Sequence, residues 1–431
     1  MNTRQARQGK SRILHPPAYI NDAVAGLYER HLSRVDWRIP ATLFVWILGL
    51  WLLSWVAVAA SGITSTWMGE PTAAHFNQER EPLALYIWSR WDGQWYLNIA
   101  YGGYGTIPYD APFFPTYPML VAAMHAITNL PLAGDALLVS YIFLALGLVY
   151  LYKLARLDLD RGLTTRAIIT LILFPTAFFL ISVYAESLLL FLFCAGLYYA
   201  RLGRWWLVVP LAFAAGLTKI MAFALVLALI FEALLGDANA PGRLKAANWR
   251  YLLNPVRLAR LLVSRLNVAK LAAIAAAPAG LFTYMMFLYW RYGDPINFIT
   301  VQPIRFWRVR RTFLEQMGFL WNRYFNQGIS AADLPKLSDM LVMLFLVGLV
   351  IYLALNLRLS YAAFITGFLI VIVMSGDTLS LNRYMLEMAP AFIGIAALSR
   401  RMPRTWAAML VIFVPMQIYF ALYFFLWNWV G

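Results

Sequence analysis

The segment from Ser89 to Ala100 is polar and aromatic, follows the first apolar run, and carries one acidic residue, Asp92. A carboxylate at the edge of a bilayer can act as a general base on a lipid-borne substrate. The neighbouring Trp91 and Trp95 offer flat surfaces on which a sugar ring can stack. The spacing Ser89-x-x-Asp92 also fits a helix capping box, so the alternative is that Asp92 only begins an interfacial helix.

Three more ionisable residues, Glu186, Lys219 and Arg383, stand within or at the ends of apolar runs. Glu186 falls in the first turn of a span, where it either complements the helix dipole or pairs with Lys219 or an arginine across a cavity. Lys219 needs a phosphate, a carboxylate or a path by which its ammonium group reaches the interface. Arg383 is either an interfacial anchor or part of a site. Because such groups are costly near a membrane, all three are candidate functional residues.

The long polar stretch 291–338 carries Asp294 followed by Pro295, and then a cluster of arginines that includes Arg305 and Arg308. Guanidinium groups beside Trp307 suit a lipid-linked phosphate or pyrophosphate. The alternative for the arginines is nonspecific attraction to anionic headgroups. An Asp-Pro pair by itself is also a common turn.

The composition predicts the elements that must position these residues. The chain has 431 residues, of which 62% are hydrophobic and only 13% are charged. Apolar runs of nearly membrane-spanning length recur along it, which predicts an all-α polytopic membrane protein of about 11–12 transmembrane helices. The predicted spans are 41–61, 135–152, 167–183, 186–201, 205–217, 218–235, 271–290, 339–357, 360–375, 385–399 and 405–427, with a twelfth candidate at 113–130.

The distribution of basic residues predicts the orientation of the chain in the membrane. The formal charge of +15 is spread over short loops beside the spans, which is typical of membrane topology rather than of nucleic-acid binding. Segments 1–40 and 236–270 are the most basic and are expected to be cytoplasmic. A full crossing by 113–130 would put the basic loop 153–166 outside, so we predict a re-entrant or half-inserted helix there, opened by three closely spaced prolines. The candidate site residues then all lie on the outer face.

Several kinds of chemistry have no sequence support. The single cysteine, Cys194, lies in an apolar run, so neither an internal disulfide nor a cysteine metal site is expected. Phosphate-binding and dinucleotide-binding glycine motifs are absent, and the first outer loop has no Asp-x-Asp pair to hold a divalent metal. We therefore expect a reaction without metal or cofactor, and the sequence suggests no obligatory protein partner.

The polar blocks resemble those of a known family. Arg90-Trp91-Asp92-Gly93, then Gly103-Tyr104 and Phe113-Phe114-Pro115-x-x-Pro118, is similar to the first outer loop of the PIG-V family. These are the second mannosyltransferases of GPI-anchor synthesis and their prokaryotic relatives, within the GT-C superfamily. Further blocks resemble the family in the same order: 175–179, 182–187, 216–219, 292–295 and 383–384. Lys219 departs from the arginine that relatives tend to carry.

The resemblance implies a membrane glycosyltransferase with a GT-C-like bundle, a short interfacial helix in the first outer loop and a re-entrant segment. The implied donor is a polyprenyl-phosphate sugar, mannose on a dolichol- or undecaprenyl-type phosphate, and the acceptor is a glycolipid or an inositol lipid. Asp92 would be the general base of an inverting transfer. The implied substrate-binding residues are Arg90, Trp91, Trp95, Phe114, Tyr184, Glu186, Lys219, Asp294, Arg305, Arg308 and Arg383.

The same reasoning divides the chain into a basic N-terminal segment (1–40), a catalytic membrane module (41–235), a basic cytoplasmic loop (236–270) and C-terminal helices that complete the site (271–431). We expect a prokaryotic plasma membrane, with the N-terminus cytoplasmic and the site facing outward. One alternative function is a lipid or glycolipid transporter or flippase, although a second half matching the 113–118 block is not found. A structural membrane subunit is the other alternative.

Overall fold

The computed structural model describes residues 36–61, 81–236, 265–305, 333–375 and 380–430, with isolated positions between 315 and 326. Regular structure in these ranges is helical throughout, which confirms the all-α prediction. The α-helices are, in chain order, α1 (Arg38–Ser61), α2 (Leu83–Tyr86), α3 (Asp92–Gly102), α4 (Thr116–Thr128), α5 (Leu132–Ala155), α6 (Arg161–Ile172), α7 (Glu186–Arg201), α8 (Trp205–Gly216), α9 (Phe223–Leu235), α10 (Val268–Tyr292), α11 (Asn297–Thr300), α12 (Gln302–Arg305), α13 (Leu334–Asn356), α14 (Leu359–Ser375), α15 (Leu381–Met385), α16 (Ala389–Leu398) and α17 (Pro403–Phe425).

Five of the described helices, α1, α5, α10, α13 and α17, are long and apolar enough to cross a membrane. Each has 23–25 residues, which at about 1.5 Å per residue exceeds the hydrocarbon thickness of about 30 Å. The chain is therefore an integral membrane protein. The predicted number of spans also counts shorter apolar helices, among them α8, α14, α16 and the stretch Ile220–Leu235.

Prolines interrupt two of the predicted spans. The run expected at 167–183 is not one helix, because α6 ends at Ile172 and a 3₁₀ turn, Ala177–Ile181, follows Pro175. The run expected at 385–399 is likewise divided, since α15 ends at Met385 and α16 begins only at Ala389, with Pro390 in its first turn. Proline has no N–H and disfavours helical backbone in the residue before it, so each break falls where the ladder cannot continue.

The segment expected to be re-entrant forms a short helix. Helix α4 begins directly after Pro115 and ends at Thr128, and the next residue, Asn129, has a left-handed φ of 54°. Its 13 residues span about 20 Å, which is too short for the hydrocarbon core. This length agrees with a half-inserted helix, whose placement in the membrane remains a prediction.

Helix α8 and the helical stretch from Ile220 are joined by a short turn, Leu217–Lys219. Helix α8 packs closely against α10 through two glycines. A Cβ on Gly216 would lie 2.1 Å from the carbonyl oxygen of Ala277, and one on Gly280 would lie 2.3 Å from that of Phe213. Small residues allow this approach of two backbones in a membrane, and the contact fixes the end of α8 that precedes the turn to Lys219.

Charged residues lie at both ends of the same helices. At one end the pairs are Arg201–Asp158 at 2.6 Å, Arg358–Glu232 at 3.0 Å and Arg400–Asp160 at 2.8 Å. The other end carries Glu186 and Lys219. Glu186 is the first residue of α7, which ends at Arg201, and Lys219 precedes the helical stretch that contains Glu232. The residues predicted to be inner and outer are thus separated by the helix length. Most of the predicted basic segments 1–40 and 236–270 lies outside the described residues.

Candidate active site

Five buried or half-buried charged side chains form one continuous chain of ion pairs. Arg383 Nη1 lies 2.6 Å from Asp92 Oδ2, and its Nε lies 3.3 Å from Glu186 Oε1. Lys219 Nζ lies 3.2 Å from the same Glu186 oxygen and 2.6 Å from Glu387 Oε1. Three carboxylates therefore share two cations. The structure brings together four of the residues that the sequence singled out, from segments far apart in the chain.

Asp92 is the first residue of α3, but not as part of a capping box. The N-cap of α3 is Trp91, whose backbone has a φ of 58° and whose side chain makes no capping hydrogen bond. The hydroxyl of Ser89 donates instead to the carbonyl of Tyr86 at 2.7 Å. The capping-box alternative for Asp92 is therefore wrong, and its carboxylate is directed to Arg383.

Glu186 and Tyr184 belong to the segment that packs against the Asp92 loop. The Val183 amide donates to the carbonyl of Trp88 at 3.1 Å, and the Tyr184 hydroxyl donates to the carbonyl of Arg90 at 2.8 Å. The Tyr184 ring also lies 5.3 Å from the Arg383 guanidinium. Tyr184 thus joins the loop before α3 to the start of α7 and supports the charged cluster.

Arg383 is presented by a short helix that a buried carboxylate fixes in place. Asp339 of α13 accepts from the amides of Ser380 at 3.1 Å and Asn382 at 2.7 Å, and from Asn382 Nδ2 at 2.8 Å. The Arg383 side chain is 4% exposed. A buried guanidinium held between carboxylates does not serve as an interfacial anchor, so that alternative for Arg383 is wrong.

The accessibility of the carboxylates differs within the cluster. The side chain of Asp92 is 22% exposed, whereas those of Glu186 and Glu387 are 2% and 0% exposed. The described hydrogen bond from Arg383 to Asp92 ends on Oδ2. Of the three carboxylates, Asp92 is therefore the one that an incoming substrate can reach.

Sequence reasoning missed Glu387. The sequence predicts one continuous span over 385–399, whereas the structure places Glu387 in the break between α15 and α16. Two features of the sequence could have indicated Glu387. Pro390 disfavours a continuous helix through this region, and a lysine in an apolar region, such as Lys219, needs a carboxylate as its partner. Lys219 is satisfied by two carboxylates, so neither a phosphate nor a path to the interface is needed in this state.

Arg90 lies beside the cluster and differs from its other cations. Arg90 is 1% exposed, and its Nε and Nη2 have no hydrogen-bond partner among the described residues. The guanidinium lies instead 4.4 Å from the ring of Trp427 and 5.9 Å from that of Tyr86. Burial lowers the pKa of Arg90 to about 10, so it carries its charge at neutral pH.

The predicted aromatic residues have separate surroundings. Trp91 packs edge-on against Trp427 and Trp429, with ring centroids 5.9 and 5.3 Å apart, and so borders the cluster. Trp95 is buried and stacks on Phe113 at 5.2 Å. Phe114 belongs to a second aromatic group, 4.5 Å from Tyr284 of α10. Trp95 therefore packs within the segment that follows α1 and Phe114 packs against α10, whereas Trp91 borders the charged cluster.

The remaining predicted residues lie elsewhere. Asp294 Oδ1 accepts from the amide of Ile296 at 3.0 Å, and its Oδ2 accepts from the hydroxyl of Thr300 at 2.7 Å, so its described contacts are those of a local turn. The side chain of Arg305 and all of Arg308 lie outside the described residues. In the described ranges, no three His, Cys, Asp or Glu side chains are grouped so as to hold a metal ion. A metal-free reaction stays a prediction.

A helical membrane protein with a charged, partly accessible cluster at one end of its helices has the features of a membrane-embedded enzyme. One family model matches part of the chain. Residues 47–239 are similar to the model for mannosyltransferase (PIG-V), which confirms the resemblance seen in the sequence. The matched region contains Asp92, Glu186 and Lys219, and Arg383 and Glu387 lie beyond it.

One solved structure similar to this chain is the oligosaccharyltransferase of Archaeoglobus fulgidus, crystallised with a tethered acceptor peptide. The identity is 12% and the TM-score 0.39, over 90% of this chain and 56% of that chain. The present chain thus spans little more than half the length of that enzyme. No curated protein is significantly similar to the chain.

Proposed function

We propose that this protein transfers a mannosyl residue from a polyprenyl-phosphate donor to a hydroxyl group of a lipid-linked acceptor, with inversion at the anomeric carbon. The family match supports mannose and a membrane-borne reaction. The acceptor that we propose is a glycolipid or an inositol lipid. The observation that carries the proposal is Asp92, an accessible carboxylate oriented by a buried arginine at the end of a membrane helix bundle.

In this mechanism Asp92 accepts the proton of the acceptor hydroxyl while the hydroxyl oxygen attacks the anomeric carbon. The bond from that carbon to the phosphate oxygen breaks, and polyprenyl phosphate leaves with the electron pair. The phosphate needs no proton to leave, so one base is sufficient. Positioned general bases contribute about 10²–10⁴-fold to such steps.

Arg383 has a positioning role in this proposal. It engages Asp92 Oδ2 and thereby orients the carboxylate with Oδ1 toward the acceptor. Glu186, with Lys219 and Glu387 behind it, holds the guanidinium from the other side. Because these groups are fixed before the substrate binds, little reorganisation is needed in the transition state.

We also propose that the cluster faces the outer side of the membrane. The arginine-rich ends of the helices, with Arg201, Arg358 and Arg400, lie opposite the cluster. Cytoplasmic loops carry an excess of basic residues. This assignment supports a donor and an acceptor that both reach the site from the outer leaflet.

The test is transfer from radiolabelled polyprenyl-phosphate-mannose to a panel of inositol lipids and glycolipids, by purified protein in detergent or liposomes. We expect the wild-type product to have the anomeric configuration opposite to that of the donor. We expect Asp92→Asn to lower the transfer rate by about 10²–10⁴-fold. The matched control is Asp160→Asn at the opposite end of the bundle, where asparagine can still cap α6. Equal transfer by wild type and Asp92→Asn would remove Asp92 as the base.

A further inference from the structure

Arg90 is a buried cation whose charge no carboxylate contacts among the described residues. The two cations of the neighbouring cluster, Lys219 and Arg383, each lie between two carboxylates. Arg90 has two nitrogen positions, Nε and Nη2, without a hydrogen-bond partner in the described part of the chain. A buried, charged guanidinium with unused donors is costly unless an anion binds it at some stage.

Trp427 covers one face of the Arg90 guanidinium. The Trp427 ring lies over its guanidinium at 4.4 Å, and the Trp429 ring lies 5.6 Å from Arg383. Both tryptophans also contact Trp91. Trp427 has a φ of 64°, and Trp91 has a φ of 58°. Bulky residues rarely adopt such left-handed backbone, and strain of this kind is concentrated at clamps and switches.

We propose that Arg90 binds the phosphate of the polyprenyl carrier and that Trp427 covers this phosphate subsite until the donor displaces it. A phosphate binds a guanidinium through charge-assisted, often bidentate hydrogen bonds, which are stronger than the stacking of an indole on the same cation. Displacement of Trp427 therefore gains hydrogen bonds for Arg90 and releases a strained backbone. This inference rests on the proposed donor class and adds the residue that recognises it.

The segment before Arg90 packs against α1, which also lines an apolar cavity. Trp88, two residues before Arg90, is buried and packs on Trp51 of α1 with ring centroids 5.2 Å apart. The next turn of α1 lines an apolar cavity of about 280 Å³ with Ser54, Trp55 and Val58, opposite the residues 82–84. We expect the isoprenoid chain of a donor whose phosphate lies at Arg90 to extend toward this apolar cavity.

The experiment measures binding without an acceptor, so that it is independent of transfer. Labelled polyprenyl phosphate and polyprenol, which lacks the phosphate, are bound to purified full-length protein in nanodiscs. We expect Arg90→Gln to weaken polyprenyl phosphate binding at least tenfold and to leave polyprenol binding within twofold. Arg291→Gln is the matched control, an exposed arginine that donates to the Tyr104 carbonyl, and it should change neither. Equal weakening of both ligands, or no weakening, overturns the proposal.

A second variant keeps the proposal testable if Arg90→Gln does not fold. Trp427→Ala removes the cover and leaves Arg90 intact, so polyprenyl phosphate should bind several-fold more tightly, whereas unchanged or weaker binding overturns the covering role. Phosphatidylglycerol, added as a competitor, distinguishes a donor subsite from a general headgroup site. We expect it not to compete, and competition equal to that of polyprenyl phosphate would contradict donor recognition. If Arg90 governs this binding while Asp92→Asn transfers normally, only the catalytic assignment fails.

Discussion

Arg383 and Asp92 form a 2.6 Å ion pair across 291 positions of the sequence. This contact joins the loop after the first span to a short helix near the end of the described chain, and it orients the most accessible carboxylate of the cluster. The pair lies partly within the membrane protein's interior, where the two charges interact more strongly than in water. It is therefore the contact on which the proposed catalytic geometry depends most directly.

Arg383→Lys should impair catalysis although it keeps the positive charge. An ammonium group is a compact donor without the planar fork of a guanidinium, so it cannot span Asp92 and Glu186 in the same way. We expect kcat to fall about 10–10²-fold, which is the effect of a misplaced catalytic group, with a smaller change in KM. Steady-state transfer kinetics measure this. Arg400→Lys, at an exposed pair at the opposite end, should stay within twofold, and an equal effect of both would contradict the positioning role.

Asp339→Ala should affect the site through Arg383. Its carboxylate accepts the amides of Ser380 and Asn382, and its loss leaves buried donors unsatisfied at a cost of about 1–3 kcal/mol each. We expect a lower unfolding temperature and a lower kcat, with donor binding retained. Asp339→Asn should recover part of both, since one oxygen remains to accept. A variant that loses stability but keeps full kcat would show that Asp339 does not position Arg383.

Lys219→Met should destabilise the protein by leaving Glu186 and Glu387 without their shared cation. Removing one partner of a buried ion pair costs about 3–5 kcal/mol. The double variant Lys219→Met/Glu387→Gln should recover stability, because it removes a charge of each sign. Lys219→Arg should fold and retain activity. Thermal unfolding in a defined detergent compares the four proteins, and a double variant no more stable than Lys219→Met would contradict the shared-cation account.

Gly216→Ala should force α8 away from α10. A Cβ at this position would lie 2.1 Å from the carbonyl oxygen of Ala277, which belongs to a helix backbone and cannot move alone. We expect destabilisation of about 1–3 kcal/mol from this overpacking, and reduced activity because Lys219 follows α8 directly in the next turn. Gly348→Ala in α13 is the control, since nothing lies within 4 Å of its added Cβ. It should be neutral or stabilising, because alanine favours helix over glycine.

Much of the fold followed from local pattern. The apolar runs predicted the long helices to within a few residues, as at 135–152 against the observed Leu132–Ala155. The errors fell at Pro175 and Pro390, where an apolar run continues although the helix cannot. Hydropathy reports whether a segment prefers lipid, and it does not report whether each backbone hydrogen bond can form. For the site, the important error is the break between α15 and α16, because Glu387 lies in it and pairs with Lys219.

The sequence predicted some residues of the candidate site correctly and placed others there that lie elsewhere in the structure. Asp92, Glu186, Lys219 and Arg383 stand out because a charge in an apolar context is rare and costly. Asp294 and Phe114 carried the same kind of signal, yet their described contacts are those of a turn and of an aromatic packing group. A residue's type and neighbours cannot distinguish a substrate contact from a local structural one, because both satisfy the same polar or aromatic group.

The sequence by itself determined that this is a helical membrane protein, that its charges are separated toward two ends of the helices, and that a few ionisable residues must find partners. Those properties depend on the transfer of side chains from water to lipid, which composition and order fix. Only the tertiary structure decided that Arg383 pairs with Asp92, that Lys219 lies between Glu186 and Glu387, and that Arg90 is covered by Trp427. Each buried charge could be stabilised by any side chain of opposite charge. Helix packing, such as the close contact of α8 and α10 at Gly216 and Gly280, determines which partner lies near enough to pair with it.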